Sequence, residues 1–126
     1  MIAIIDYGAG NLRSVRNALA HLGADVITLT TPDGLAGADK IVLPGVGAFG
    51  AGIDSLRAAG FEGPLKEAAA AGVPLIGICL GMQYLFESSD EMGLHRGLGL
   101  LAGRVTRFPV AGPKVPHIGW NQLHLQ

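Results

Sequence analysis

Charged and aromatic side chains are both scarce in this chain of 126 residues. Charged residues make up 15%, aromatic residues make up 6%, and the formal net charge is −1. Because basic residues are not in excess, the chain has no electrostatic attraction for nucleic acid or for an anionic membrane, and neither is an expected partner. Apolar residues make up 49%, which excludes a disordered chain and predicts a globular one with a sizeable core.

Cysteine occurs once, at Cys79, and long apolar runs do not occur at all. One cysteine excludes an internal disulfide framework and suits a reducing compartment. No run reaches the roughly 18 apolar residues of a membrane-spanning helix, and no basic segment precedes the apolar residues after Met1, as it would in a signal peptide. We therefore expect a cytoplasmic protein. Without clustered histidines or carboxylates, neither a metal nor another cofactor is expected.

Glycine, in contrast, is abundant, and its 20 residues are scattered among alternating strand and helix patterns. The continuous apolar run at 2–5 is typical of a central parallel strand buried on both faces, and further strands are predicted at 25–29, 40–43 and 73–78. Apolar residues at helical spacing fall between and after these runs, at 12–22, 53–59, 65–71 and 79–87, with one helical turn before Ala38. This alternation predicts an α/β fold, a parallel sheet with helices on both faces.

Residues 90–126 differ in character, because glycine and proline break the periodic pattern repeatedly. Short strands are predicted at 104–108 and 114–118. The sequence then stops at Gln126 within a weakly alternating segment. We therefore expect one domain over residues 1–126 that is incomplete at its C-terminus and lacks the last strands of its sheet.

The stretch from Gly77 to Gln83 reads Gly-Ile-Cys-Leu-Gly-Met-Gln and joins the fourth predicted strand to a helix. A nucleophile between two glycines, in the form G-x-nucleophile-x-G, is typical of a nucleophile elbow, a turn too tight for side chains at the glycines. Cys79 would lie at the first turn of the helix, where unpaired N–H groups favour a thiolate. Cys79 is therefore the candidate nucleophile.

Acyl transfer also requires an oxyanion hole, in which each backbone donor contributes roughly 3–4 kcal/mol. The N–H of Leu80 directly follows the nucleophile, and a second donor is expected from Gly45-Val46-Gly47, at the end of the neighbouring strand. The alternative is that these glycines only form a turn. Together with Gly50 they also match G-x-G-x-x-G, the dinucleotide-binding pattern, but the acidic residue expected about 20 positions later is absent.

A general base is the third requirement, and none of the four histidines is a convincing one. His21 falls near a helix C-terminus, where a histidine is stabilising, and His95 falls in a glycine-rich loop, where we expect it to be solvated. His117 lies in a strand-like segment and suits packing or an interface. His124 is two residues from the end, and no histidine is followed at the second position by Glu or Asp.

The elbow resembles the nucleophile motif of class I, triad-type glutamine amidotransferases. Four further segments are similar to one branch of that family, the glutaminase subunits of imidazole glycerol phosphate synthase in histidine biosynthesis, and they fall at 5–12, 43–49, 97–100 and 114–121. The resemblance extends over essentially the whole chain and implies a flavodoxin-like α/β fold.

The resemblance also implies an activity, the hydrolysis of glutamine to glutamate and ammonia through a thioester on Cys79. Leu80, Val46 and Gly47 would form the oxyanion hole with their backbone, and Gly47 and Gln83 would bind the substrate glutamine. Ammonia would pass to a separate cyclase subunit of imidazole glycerol phosphate synthase, with which the chain would form a heterodimer.

The interface with the cyclase is implied to include Asn11, Pro116, His117, Trp120 and Asn121. An exposed tryptophan suits an interface core, and the alternative is that Trp120 packs within its own domain. Family members also carry a His-x-Glu pair of the catalytic triad that is absent here, so we expect this chain alone to lack turnover. Two alternatives stay open, a non-catalytic subunit that docks on the cyclase and a redox-sensing, flavodoxin-like cysteine protein.

Overall fold

The computed structural model describes residues 1–8 and 10–126. Ala9, in the first of the segments that carry the family resemblance, lies outside the described residues. The main sheet has four strands, β1 Ile2–Ile5, β2 Val26–Leu29, β3 Lys40–Gly45 and β4 Leu75–Cys79. Their order is β2-β1-β3-β4 and every neighbouring pair is parallel, which confirms the predicted parallel α/β sheet.

Helices connect these strands on both faces of the sheet. They are α1 Leu12–His21, a 3₁₀ helix at Pro32–Gly37, α2 Phe49–Ala58, α3 Glu62–Ala70 and α4 Leu80–Gln83. Strand β2 lies on one side of β1, whereas β3 and β4 lie on the other, so right-handed crossovers place α1 on one face and α2 with α3 on the opposite face. In the described part of the chain, no helix is long and apolar enough to cross a membrane.

The main core lies between the sheet and the pair α2 and α3. Alternate side chains of β1 and β3 point into it and meet apolar side chains of the two helices; the fully or almost fully buried members are Ala3, Ile5, Ile41, Leu43, Phe49, Ile53, Leu56 and Leu65. The opposite face is covered less well, because α1 has no buried residue and Ile76 on the edge strand β4 is 58% exposed. The structure is therefore most firmly packed on the side of α2 and α3.

A second, smaller sheet corrects the prediction for residues 79–87. It consists of β5 Phe86–Ser89, β6 His95–Arg96 and β7 Leu101–Val105, in the order β6-β5-β7. The elbow helix ends at Gln83 rather than at Glu87, because the following carbonyl groups pair with a later loop. The N–H of Leu98 donates to the carbonyl oxygen of Tyr84 at 2.7 Å, and the N–H of Gly99 donates to that of Phe86 at 3.0 Å.

The predictions for the C-terminal region are also wrong in part. The strand expected at 104–108 is found three residues earlier, as β7, and the segment 114–118 is not a strand in the part of the chain that the structure describes. Residues 106–126 are exposed throughout. Prolines at 109, 113 and 116 remove backbone donors from this segment, which disfavours a place within a sheet.

Glu62, the first residue of α3, lies at the centre of an ion-pair network. Its carboxylate accepts from Arg57 Nε at 2.6 Å and from Lys66 Nζ at 2.9 Å. The hydrogen bond from Arg57, followed by that from Lys66, lowers the pKa of Glu62 from 4.5 to about 2. Arg57 also donates to the carbonyl oxygen of Arg96 at 2.9 Å, so the network joins α2 and α3 to the smaller sheet.

The first prediction concerns acid stability. Because the folded pKa of Glu62 lies below its ordinary value, this carboxylate stabilises the fold above pH 4.5, and the contribution is lost as the pH falls towards 2. Glu62→Gln should remove that part of the pH dependence and cost about 1 kcal/mol at pH 7, since the network is partly solvated. Urea unfolding between pH 2 and 7 measures both effects. Glu67→Gln, at an exposed position of the same helix, is the matched control. If the free energy of unfolding changed equally with pH in both variants, Glu62 would not be the source of this pH dependence.

Candidate active site

The turn between β4 and α4 has the geometry of a nucleophile elbow. Cys79 is the last residue of β4, its side chain is exposed, and its backbone has φ 55° and ψ −118°. A residue other than glycine in a sparsely populated backbone region costs about 1–3 kcal/mol, and such strain clusters at functional sites. The helix that follows, α4, has only four residues.

The two glycines of the motif are required by close backbone contacts, which confirms the predicted clash. A Cβ at Gly81 would overlap the carbonyl oxygen of Leu43, in the neighbouring strand β3. A Cβ at Gly77 would overlap the backbone of Met82, the third of the four residues of α4. Helix α4 therefore folds back directly over β3 and β4, and only glycine allows this approach.

The glycine-rich loop at the end of β3 lies beside the elbow. Gly45 is the register partner of Cys79 in the parallel pair β3–β4, and a Cβ on Gly45 would lie 2.7 Å from the N atom of Gly81. Val46 and Gly47 follow directly and are exposed, and Gly47 has a φ of +94° that favours glycine. The structure thus brings Cys79, Leu80 and the loop Gly45–Gly47 to one edge of the sheet. Their roles as nucleophile and oxyanion donors stay predictions.

Gln83, the predicted ligand of glutamine, is the last residue of α4 and is half-buried. It lies one helical turn beyond Cys79, so both residues belong to the same short segment. The role of Gln83 in substrate binding also stays a prediction.

An aromatic cluster, which the sequence analysis missed, lies beneath the loop and the elbow. The ring of Tyr84 packs edge to face against Tyr7, with centroids 6.0 Å apart, and against Phe49, with centroids 5.3 Å apart. All three rings are buried. Burial raises the pKa of both tyrosine hydroxyls above 10, so both remain protonated at neutral pH. No local pattern in the sequence indicates this cluster, because Tyr7 lies in the turn after the first predicted strand and Tyr84 lies within the helix predicted at 79–87.

His95 corrects the expectation of a solvated loop residue. It lies in β6 and is half-buried, and a Cβ on Gly50 would come within 2.5 Å of its ring. Glu91 accepts a hydrogen bond from the N–H of Phe49 at 3.4 Å, so both residues pack on the N-terminus of α2. The remaining histidines, at 21, 117 and 124, are exposed. Over residues 1–8 and 10–126, no hydrogen bond links a histidine to Cys79.

The predicted interface residues are all exposed. Asn11 precedes α1 in a left-handed conformation, with φ 71°. Pro116, His117, Trp120 and Asn121 lie in the irregular C-terminal segment. Trp120 is 102% exposed, so it does not pack against the part of the chain that the structure describes. Its place in an interface stays a prediction.

Comparison with known proteins gives the family. The sequence model of the family described as glutamine amidotransferase class-I matches residues 3–125 of this chain. A solved structure described as a glutamine amidotransferase shares the fold, with a TM-score of 0.72 and 23% sequence identity over 84% of this chain and 56% of that one. The chain belongs to the class-I glutamine amidotransferase family. This membership argues against the alternative of a redox-sensing cysteine protein.

Within the family, the similarity extends to proteins named imidazole glycerol phosphate synthase subunit HisH. The protein of that name from Desulfitobacterium hafniense strain Y51 is 56% identical over 124 residues, which cover 98% of this chain and 58% of the relative. The one from Chlorobium luteolum is 50% identical over 126 residues, which cover 100% of this chain and 63% of the relative. The chain therefore spans about three fifths of the length of these relatives.

The second prediction tests the close approach of the elbow to β3. Gly81→Ala should destabilise the fold by about 3 kcal/mol or more, because the new methyl group cannot be placed without moving the backbone of β3 or α4. Gly63→Ala, in α3, is the matched control. It has nothing within 4 Å of a new Cβ, and the higher helix propensity of alanine should stabilise it by up to about 1 kcal/mol. If Gly81→Ala and Gly63→Ala unfolded at the same urea concentration, the close contact between α4 and β3 would be wrong.

Proposed function

We propose that this chain carries the nucleophile and the substrate-binding part of a glutaminase that releases ammonia from glutamine. One observation supports the proposal most strongly: Cys79 is exposed and strained on an elbow whose register partner, Gly45, begins a glycine-rich loop. A thiol in this position can reach a carbonyl carbon, and the backbone N–H groups of Leu80 and of the Val46–Gly47 region are proposed to stabilise the developing oxyanion.

The proposed reaction has two acyl-transfer steps. The thiolate of Cys79 attacks the side-chain amide carbon of glutamine, and the carbonyl oxygen becomes an oxyanion. Collapse of this intermediate breaks the C–N bond, and ammonia leaves after it takes up a proton. Water then attacks the resulting γ-glutamyl thioester, which releases glutamate and regenerates the thiol. Gly47 and Gln83 are proposed to hold the substrate.

A general base must accept the thiol proton, and this role is not assigned to any of the four histidines. His95 packs against α2, and the other three are exposed. The family resemblance implies that a His-x-Glu pair performs this role. We therefore expect the 126-residue chain to show no turnover of glutamine under conditions in which its cysteine still reacts with an electrophile.

The proposal includes a partner, a cyclase subunit that receives the ammonia in a cytoplasmic heterodimer. Two observations support it: the relatives are named as subunits of imidazole glycerol phosphate synthase, and the predicted interface residues are exposed. Trp120 is 102% exposed, and aromatic side chains of this size are enriched at the centres of interfaces. A non-catalytic subunit that only docks on the cyclase is the alternative proposal, and the same surface would support it.

The third prediction tests the nucleophile. A chloroketone analogue of glutamine, in which a chloromethyl ketone replaces the side-chain amide, should alkylate Cys79 with release of chloride. Glutamine should slow the labelling in a saturable way, because it competes for the same site. Mass spectrometry of the intact chain measures the rate, and Cys79→Ser is the control that should not be labelled. Labelling that glutamine does not slow would contradict the proposed substrate site.

The fourth prediction tests the partner surface. Trp120→Ala should weaken binding to the cyclase subunit by at least tenfold, as expected when a central aromatic residue of an interface is truncated. Phe108→Ala, at another exposed aromatic position of the C-terminal segment, is the matched control. Calorimetric titration of the chain with the cyclase measures both. An unchanged affinity for the Trp120 variant would exclude this residue from the interface.

A further inference from the structure

Two tyrosine hydroxyls are buried where three backbone segments of the site converge. Tyr7 follows β1 and is 7% exposed, and Tyr84 follows α4 and is fully buried. Their hydroxyl oxygens are 3.3 Å apart, and the Tyr7 hydroxyl lies 2.8 Å from the carbonyl oxygen of Pro44 in β3. The end of β1, the end of β3 and the residue after the elbow helix are thus joined by one short chain of hydrogen bonds.

The direction of this chain follows from its end. The carbonyl oxygen of Pro44 can only accept, so the single proton of the Tyr7 hydroxyl is donated to it. The Tyr84 hydroxyl must then donate to the oxygen of Tyr7. Each hydroxyl proton therefore has one acceptor, and the hydrogen bonds run from Tyr84 through Tyr7 to Pro44.

The peptide group that accepts the last hydrogen bond leads directly into the candidate oxyanion loop. The carbonyl of Pro44 belongs to the peptide bond with Gly45, and Pro44 and Gly45 are the register partners of Ile78 and Cys79. The same peptide plane contains the N–H of Gly45, so a hydrogen bond to the Pro44 carbonyl restrains the first residue of the loop.

Two glycines make room for the hydroxyls. A Cβ on Gly45 would lie 2.8 Å from the Tyr7 hydroxyl, and a Cβ on Gly52, in α2, would overlap the hydroxyl of Tyr84. The loop and the helix that follows it are therefore packed directly on the polar ends of the two tyrosines. A Tyr→Phe change would leave the rings in place and remove only the hydrogen bonds.

The geometry points to Tyr7 and Tyr84 as positioning residues that hold the loop Gly45–Gly47 in register with the Cys79 elbow. This inference rests on the proposed function, since it assigns the tyrosines to the oxyanion loop of that reaction. Neither tyrosine touches the reacting atoms. Tyr7 acts on the loop through the Pro44 carbonyl, and Tyr84 acts through Tyr7.

The fifth prediction compares two alkylation reactions of the 126-residue chain. Attack on the chloroketone analogue of glutamine passes through an adduct with a negatively charged oxygen, whereas iodoacetamide reacts by direct displacement of iodide at carbon. Because an intact oxyanion donor is worth about 100-fold or more, a displaced loop should reduce chloroketone labelling about tenfold in Tyr7→Phe. The rate with iodoacetamide should change less than about twofold, since that reaction needs no oxyanion hole.

Tyr84→Phe and the double variant test whether the hydroxyls act in series. Tyr84→Phe should reduce chloroketone labelling less than Tyr7→Phe does, because the bond to Pro44 remains. The double variant should be no slower than Tyr7→Phe alone, since contacts in one network are not additive. Two results would overturn the inference. One is a double variant whose labelling rate falls by the product of the two single effects, and the other is an equal fall in rate with the chloroketone and with iodoacetamide.

Hydrogen exchange provides a readout that does not depend on glutamine chemistry. Loss of one buried hydrogen bond should speed exchange of the amides at 45–48 about fivefold in Tyr7→Phe. Leu35→Val, in the 3₁₀ helix, is a destabilised control that should not change these amides selectively. Unchanged exchange in Tyr7→Phe would overturn the positioning role. Suppose instead that exchange increases in Tyr7→Phe but that glutamine does not slow the labelling of Cys79. This result would contradict the proposed function and leave the positioning role intact.

Discussion

The approach of helix α4 to strand β3 is the contact on which the rest of the site depends. The backbone of Gly81 packs on the carbonyl oxygen of Leu43, and Gly45 lies against the same turn of helix. Since a Cβ at either glycine would meet backbone atoms, the distance between these elements is set by the main chain. The polypeptide must therefore leave β4 and enter α4 within one residue, and Cys79 takes the strained conformation that this requires.

The space beside this backbone contact is filled by aromatic side chains rather than by further backbone. Tyr84 packs edge to face on Tyr7 and Phe49, and such pairs contribute about 0.5–1.5 kcal/mol beyond their burial. Phe49 begins α2, which starts directly after the glycine-rich loop. The cluster thus ties the two ends of the loop to one buried region, and the loop itself can remain exposed without losing its position relative to Cys79.

Strand β1 could be predicted from the sequence because a strand buried on both faces is continuously apolar, as residues 2–5 are. The edge strands β2 and β4 are partly exposed, and they could be predicted from their β-branched residues and their place between helical patterns. The elbow could also be predicted, since two glycines beside the cysteine are needed by a local turn. The local pattern of residues 84–87 predicts a helix, whereas the carbonyl groups of Tyr84 and Phe86 accept hydrogen bonds from Leu98 and Gly99. The contact of Tyr7 with Tyr84 joins residues 77 positions apart, and no local pattern encodes it.

The strain at Cys79 is tolerated because the residues after it are anchored in the core. Leu80 is 3% exposed and Tyr84 is fully buried, and burial of a large apolar side chain contributes about 1.5–3 kcal/mol. Either contribution is comparable with the roughly 1–3 kcal/mol that the unfavourable backbone of Cys79 costs. The side chain of Cys79 points outward while its successor points inward, so the same turn that buries Leu80 exposes the thiol. Exposure of the nucleophile and stability of the elbow therefore depend on the same turn between β4 and α4.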